Sequence, residues 1–458
     1  MASARHGSLG ALAGLLALLA GGSLRAIDPP RPDNVTPPSL PTPSTPVSVP
    51  LPASGPLRGI ARDIPPLGLT TLSQLDGLAT GTTVSVPLRA VTLPETTAAP
   101  EQNTGYLPTV GAPLQTGNPL ANSWLTGEAL LWWPKGAPLP PLVTASRGAA
   151  PPRFGGPNTA LLVGGAAESP ESVGGRFGYG FAVNEQGTAG FGVTYFFLGT
   201  RVRGELLGND PSRTLGRPVI DPATGGEGVI AVSRPGGPQG SVGVATSTRA
   251  LGWEVNGLLN LVNGPQARIN AVVGYRYFQV NEGLAVTQFA LSPGGNVSVA
   301  DQFDTRNRFH GAQVGLAADV VHGGLFVELS GKIALGQSAG LVAVRGLTTG
   351  PGGTLPVGVL AQPTNSGHFT TSSLAFLPEG TLRVGFRFEN RSRVYVGYNL
   401  LYLSDAVRPG EQVDRGVDVA GFTHLGAGVA VASDRPALPF VRSDFWIQGV
   451  VIGLEYRY

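Results

Sequence analysis

The chain ends on Phe445-Trp-Ile-Gln-Gly-Val-Val-Ile-Gly-Leu-Glu-Tyr-Arg-Tyr458, and this stretch decides the fold. Side chains alternate across a β-strand, so even and odd positions form its two faces. The even face is apolar and ends in aromatic residues, whereas the odd face carries glycines, Glu455 and Arg457. A closing strand of this kind, ending at an aromatic residue, is typical of a bacterial outer-membrane β-barrel.

The composition excludes several classes of protein. A net charge of +2 gives no reason to expect a nucleic-acid partner. The chain has no cysteine, which excludes disulfides, thiol catalysis, thiolate metal sites and a lipoprotein anchor. No later stretch of the sequence has the length and apolarity of a transmembrane helix, so any role in a membrane must come from strands.

Two segments precede the strand-rich region. Arg5 and His6 lead into a compact apolar stretch over 9–20, shorter than the ~20 residues of a spanning helix, which predicts a secretory signal peptide over 1–26. Residues 27–122 are rich in Pro, Thr and Gly, which predicts a disordered periplasmic segment. That segment is either a passive spacer or a contact with the cell wall or a partner. The barrel is expected over 123–458.

From Trp124 onward the hydrophobic pattern has a period of two, which predicts an all-β, antiparallel, transmembrane up-and-down barrel. We expect about ten strands, with twelve left open, near 124–133, 173–184, 189–203, 247–262, 267–281, 303–321, 324–337, 376–389, 393–406 and 445–458. Short connections alternate with long ones, which lie near 134–172, 204–246, 282–302, 338–375 and 407–444. Outer-membrane barrels have short periplasmic turns and long external loops, so both ends of the barrel are expected in the periplasm.

Charged residues recur on one parity of these strands. An Arg or Lys that faces lipid near the bilayer midplane costs about 2–4 kcal/mol, so the charged parity should face the lumen. The residues assigned to it are Glu128, Glu254, Arg276, Glu328, Lys332, Arg383, Arg387, Glu455 and Arg457. In so narrow a barrel opposite charges should pair and leave a small pore at best. The alternative is a cation-rich constriction that prefers anions.

Aromatic residues cluster in or beside the expected strands. They predict girdles at the two membrane interfaces, formed by Trp124, Trp133, Trp253, Tyr275, Tyr277, Trp446, Tyr456 and Tyr458. The alternative is the core of a secreted, soluble β-sandwich. A further block, Arg408-Pro-Gly-Glu-Gln-Val-Asp-Arg415, follows a strand and predicts a folded-in turn whose Arg and Asp pair, or else a functional loop with clustered charges.

Signatures of enzyme chemistry are absent from the sequence. None of the five histidines lies within five residues of another, and we find neither a phosphate-binding loop nor a nucleophile elbow. We therefore expect no enzyme, no metal and no cofactor. One rival is an outer-membrane enzyme that uses His310, His424, Asp304 and Asp405 at the loop rim. Another is a surface adhesin that uses the long loops.

Several blocks together resemble the beta-barrel porin family 7 of planctomycete-type bacteria. They are residues 187–199, 305–316, 325–336, 394–403, 407–414 and the closing strand. The resemblance covers about 124–458 and implies an outer-membrane barrel, but no particular solute. The expected function is a small passive channel or a structural outer-membrane protein. Its expected partners are outer-membrane lipids and, through the C-terminal strand, the barrel assembly machinery.

Overall fold

The computed structural model describes residues 122–167, 171–184, 187–208, 210–291, 295–389, 391–417 and 434–458. All of them belong to one compact unit, Tyr106–Tyr458. The predicted signal peptide over 1–26 and the predicted disordered segment over 27–122 lie outside the described residues, apart from residue 122. No helix in the described part of the chain is long and apolar enough to cross a membrane.

The described residues form sixteen strands and one short 3-10 turn, Pro409–Gln412. The strands are β1 (Ser123–Pro134), β2 (Ala137–Arg147), β3 (Thr159–Ala167), β4 (Ser172–Ala182), β5 (Ala189–Leu198), β6 (Arg201–Leu207), β7 (Arg213–Ile220), β8 (Glu227–Ser233), β9 (Gln239–Asn263), β10 (Ala267–Leu291), β11 (Val297–His322), β12 (Leu325–Gly350), β13 (Gly353–Leu355), β14 (Gly367–Arg387), β15 (Ser392–Val407) and β16 (Arg442–Arg457).

Ten of the described strands close into an antiparallel ring, in the order β1, β4, β5, β9, β10, β11, β12, β14, β15 and β16. The ring closes where β16 pairs with β1, with Arg457 opposite Trp124 and Gln448 opposite Trp133. Closure leaves no open sheet edge in the lipid, where an unpaired backbone group would be costly. The ring confirms the prediction of an all-β barrel with about ten strands. β6 and β13 only extend the wall, beside β9 and β12.

The strands continue well beyond the membrane on the side of the long loops. β9 to β12 each contain 25 or 26 residues, whereas a strand needs about 9–11 to cross a bilayer. The loop predicted over 282–302 is therefore mostly strand, and much of the one over 338–375 is strand as well. The sequence analysis read these segments as loops because their hydrophobic pattern is reversed. Here the inner face is apolar, with Leu284 and Val299 buried, while Gln302 on the outer face is exposed.

A second sheet covers this projecting wall. Its four strands lie in the order β3, β2, β7 and β8, all drawn from the first two long connections, and we call this sheet the cap. Its buried side chains, including Val143 and Leu215, share one apolar cluster with Val286 and Val344 of the wall. A buried ion pair also ties the cap to β11, with Arg217 Nη2 2.6 Å from Asp301 Oδ2.

Candidate functional site in the barrel interior

The half of the barrel nearest the short turns encloses a cavity of about 480 Å³, which we call the vestibule. Seven of the nine charged residues that the sequence assigned to the lumen line it, namely Glu254, Arg276, Glu328, Lys332, Arg383, Glu455 and Arg457. Glu128 is buried beside it, and Arg387 lies at the rim in a separate cavity of about 660 Å³. The vestibule reaches the turn side, where Asn122 and Gly187 are among its walls.

Glu379 and Glu254 are the acidic centre of the vestibule floor. Glu379 lies 3.2 Å from Arg176 Nη2 and 3.0 Å from Lys332 Nζ, and it also pairs with Arg276. Glu254 lies 2.6 Å from Lys332 Nζ and 3.3 Å from Arg276 Nη1. The carboxylates come from β14 and β9, so these contacts bridge the interior between separate walls.

A second acidic pair continues the same network. Glu128 lies 2.7 Å from Arg383 Nη2 and 3.3 Å from Arg176 Nη1, and it accepts a hydrogen bond of 2.9 Å from the Tyr395 hydroxyl. Arg383 also pairs with Glu328. Four acids thus face four cations, so the floor is electrically neutral. Removing one partner of such a buried pair typically costs 3–5 kcal/mol, because the other charge is left uncompensated.

Arg176 and Glu379 were missed by the sequence analysis, although parity would have found both. Arg176 alternates with the glycines of β4, and Glu379 has the same parity as Arg383. Neutral side chains complete the network. Asn399 donates to Glu379 over 2.7 Å and Gln313 donates to Glu254 over 3.0 Å. The network of paired charges therefore also includes hydrogen bonds from polar amides that the sequence analysis had not assigned to the lumen.

An apolar layer fills the interior beyond this network, and the sequence analysis did not foresee it. Trp132, Phe196, Phe278 and Phe445 form a chain of ring contacts with centroid separations of 5.4, 6.2 and 6.4 Å. Nine of the ten ring strands contribute buried apolar residues to this cluster within the described chain. The odd face of the last strand is therefore not only small or charged, since Phe445 begins it as part of this layer.

A folded-in segment closes the interior again on the loop side. Arg408 is fully buried and makes a bidentate pair with Glu282, at 2.6 and 3.0 Å. The amide of Asn307 exchanges two hydrogen bonds of 2.8 Å with the backbone of Val407. The block after β15 is thus a folded-in turn, but neither of its arginines pairs with its aspartate, since Arg408 pairs with Glu282 and Arg415 with Glu227. The acid that Arg408 meets is Glu282 of β10, which is itself buried.

Asp414, the aspartate of that block, instead pairs with Arg435 at 2.8 Å. Burial alone would raise the pKa of Asp414. Hydrogen bonds from the Ala437 amide, the Arg435 guanidinium and the Gly416 amide outweigh burial, so the pKa of Asp414 lies below its ordinary value. The carboxylate is therefore held in its charged form and fastens the end of the folded-in segment.

The predicted girdle residues do not all share one face. Seven lie on the outer face, namely Trp133, Trp253, Tyr275, Tyr277, Trp446, Tyr456 and Tyr458. Trp446 and Tyr456 are ten residues apart on β16, about 33 Å along the strand and roughly 23 Å along the membrane normal at a 45° tilt, close to the ~25 Å apolar band of such barrels. Trp124 departs from the prediction, because it has the parity of Glu128 and its indole lines the vestibule beside Gly180.

The groups of the rival catalytic hypothesis are not brought together among the described residues. His310 lies on the outer face with its ring 6.5 Å from that of Tyr275, and Asp304 pairs with exposed Arg345. Asp405 pairs with Arg442 beside the folded-in segment. His424 lies outside the described residues. In that described part, no group of three His, Asp or Glu side chains could hold a metal ion.

A closed ring of ten strands with an apolar outer face and a polar vestibule defines a bacterial outer-membrane β-barrel. The family model "Putative beta barrel porin-7" matches residues 124–458, and the chain belongs to that family. The protein is accordingly a protein of the bacterial outer membrane, as the sequence analysis expected. No curated protein matches the chain.

The chain is similar to several solved structures. The outer-membrane protease OmpT of Escherichia coli has 11% sequence identity and a TM-score of 0.40, over 75% of this chain and 99% of that chain. The toluene transporter TodX of Pseudomonas putida has 10% identity and a TM-score of 0.20, over 74% and 90%. A FadL homologue of Pseudomonas aeruginosa has 10% identity and a TM-score of 0.20, over 73% and 89%.

Proposed function

We propose that the protein is a closed outer-membrane barrel that anchors a rigid cap at the cell surface and does not conduct solutes. The observation that carries this proposal is the 6.4 Å contact between the rings of Phe278 and Phe445. Their strands, β10 and β16, are five places apart in a ring of ten, so they stand on opposite walls. Side chains that meet across the full width leave no room for a water column at that level.

The second barrier supports the same proposal. Arg408 and Val407 occupy the interior on the loop side, and the cap covers the wall above them. A solute would have to displace a buried ion pair as well as the apolar layer. Separating Arg408 from Glu282 without a replacement partner costs several kcal/mol, so spontaneous opening of this barrier would be rare.

A small passive channel is the second candidate, favoured by the polar vestibule of about 480 Å³. The vestibule would admit small solutes from the periplasm, and conduction would then require both barriers to move. A surface adhesin remains a third possibility, in which the cap makes the contact. Deletion of the cap strands would then abolish attachment while the barrel stays folded.

Single-channel recording in planar bilayers tests the proposal. We expect the wild-type barrel to be silent, and a variant that combines Phe278→Ala, Phe445→Ala and replacement of residues 408–441 by a short turn to conduct. The matched control is Trp253→Ala with Tyr277→Ala, which removes a stacked pair from the outer face and should stay silent. Heat-dependent mobility on gels confirms that each variant is folded. Regular conductance steps from the wild type would contradict the proposal and favour the passive channel.

A further inference from the structure

Three arginines form a belt on the outer face of the barrel, on the side of the long loops. Arg306 and Arg308 lie on β11, and Arg249 lies on β9. Their outward direction follows from parity, because the alternate residues Phe309 and Ala250 are buried inside. We call Arg249, Arg306 and Arg308 the arginine belt.

The belt begins one row beyond the aromatic residues of the outer face. Along β11 the outward residue before Arg308 is His310, which stands opposite Tyr277, and Arg308 stands opposite Gln279. The ring of Tyr277 stacks on that of Trp253 at 5.8 Å. Trp and Tyr concentrate at the headgroup level of a membrane. The belt therefore lies at the outer headgroup level, because long loops mark the external side.

The spacing of the belt suits a ligand with more than one anionic group. Arg249 and Arg306 both stand opposite Asn281, so about two strand spacings, roughly 10 Å, separate their backbones. Arg308 follows about 7 Å further along β11. Between them Gln279 donates to Asn281 over 3.1 Å, which places neutral amides rather than acids among the three cations.

Pairing within the described part of the chain does not account for these charges. Among the described residues, no carboxylate lies within 4.0 Å of any belt guanidinium, whereas each of the four cations of the vestibule floor has at least one acid partner. The next arginine on the outer face, Arg345, is paired with Asp304 at 2.8 Å. Among the described residues, folding thus neutralises the neighbouring Arg345 but leaves the belt without an acidic partner.

We propose that the arginine belt binds the phosphate groups of lipids in the outer leaflet of the outer membrane. Guanidinium groups form bidentate, charge-assisted hydrogen bonds with phosphate. The occupant is a lipid rather than a soluble anion, because the belt faces outward directly above the lipid-facing aromatics. This inference is independent of whether the interior conducts.

The test uses the folded full chain in neutral detergent, with bis-phosphorylated lipid A as the probe. Lipid bound per barrel is measured by native mass spectrometry. The test variant combines Arg249→Gln, Arg306→Gln and Arg308→Gln, and the matched control is Arg345→Gln, the same substitution on the same face. Dephosphorylated lipid A and inorganic phosphate serve as control ligands, and the mobility of unboiled samples confirms folding.

Near an anionic membrane surface each arginine strengthens binding roughly fivefold, so we expect the triple variant to bind lipid A about a hundredfold more weakly. The control variant should bind as the wild type does, and the dephosphorylated lipid should bind the wild type no better than lipid A binds the triple variant. Equal binding of lipid A by the triple variant would overturn the proposal. So would undiminished binding of the dephosphorylated lipid, or competition by millimolar inorganic phosphate that removes the lipid completely.

Discussion

Neutralising Glu379 should destabilise the barrel more than neutralising any exposed charged residue does. The carboxylate contacts Arg176, Arg276 and Lys332 and accepts a hydrogen bond from Asn399. In Glu379→Gln three acids remain for four cations in the vestibule floor. Leaving a buried charge uncompensated costs 3–5 kcal/mol, and we expect a loss of about that size in the free energy of unfolding.

The assay is equilibrium urea unfolding of the barrel in lipid vesicles, followed by tryptophan fluorescence. The matched control is Asp304→Asn, which breaks the exposed pair with Arg345 and should cost no more than about 1 kcal/mol. The double variant Glu379→Gln with Lys332→Met restores three acids to three cations. It should therefore be more stable than Glu379→Gln alone, with a coupling energy above about 1 kcal/mol between the two sites.

Two results would refute this reasoning about Glu379. A loss no larger than that of Asp304→Asn would mean that water in the vestibule screens the network, so that its pairs behave as surface pairs. Additive effects of Glu379→Gln and Lys332→Met would mean that charge balance is not what stabilises the floor.

Three further predictions concern other parts of the barrel. Gly336→Ala places a Cβ against the backbone carbonyl oxygen of His310 and should cost about 1–3 kcal/mol, whereas Gly127→Ala, where the space is open, should cost little. Urea unfolding compares the two variants. The lowered pKa of Asp414 adds stability that is present above the ordinary aspartate pKa and is lost as the pH falls through the lowered pKa of the folded state. The stability difference between wild type and Asp414→Asn should therefore shrink on acidification, and a constant difference would argue against it. Since the chain lacks cysteine, Thr194→Cys in the vestibule should react with an impermeant maleimide and Ala334→Cys in the apolar layer should not. Equal labelling would contradict a dry layer.

The alternation of side chains allowed the two faces of a strand to be assigned from sequence where those faces differ in polarity. It assigned Glu254 and Arg276 to the lumen, because a charge on the lipid face would be prohibitively costly. It could not reveal the apolar layer, where the inner face is as apolar as the lipid face. Phe309 shows the opposite difficulty, since its neighbours Arg308 and His310 are polar and point outward. Read by polarity alone, Phe309 would be assigned to the lipid.

The sequence analysis did not predict the projecting wall for a related reason. Inside the membrane the outer face of a strand is apolar, because it contacts lipid. Beyond the membrane the outer face of the same strand contacts water, and its inner face is apolar because it packs against the cap. Along β10 the change falls between Tyr275 and Leu284, and a pattern read with one orientation ends there. The contact that reverses the pattern comes from the cap, whose strands lie more than forty residues away in sequence.

The order of the layers explains how one interior can hold both buried charges and an apolar layer. A neutral ion-pair network lies against the vestibule, where nearby water reduces the cost of burying charge, and the apolar layer follows it and excludes water. The reverse order would isolate Glu379 and its partners from solvent on both sides. Arg408 and Glu282 form a further buried pair beyond that dry layer, and two backbone carbonyls, those of Lys135 and Gly136, accept additional hydrogen bonds from the guanidinium. Within the described interior, buried charges thus lie where nearby water or several hydrogen-bonding partners compensate them, and the apolar layer separates the two charged regions.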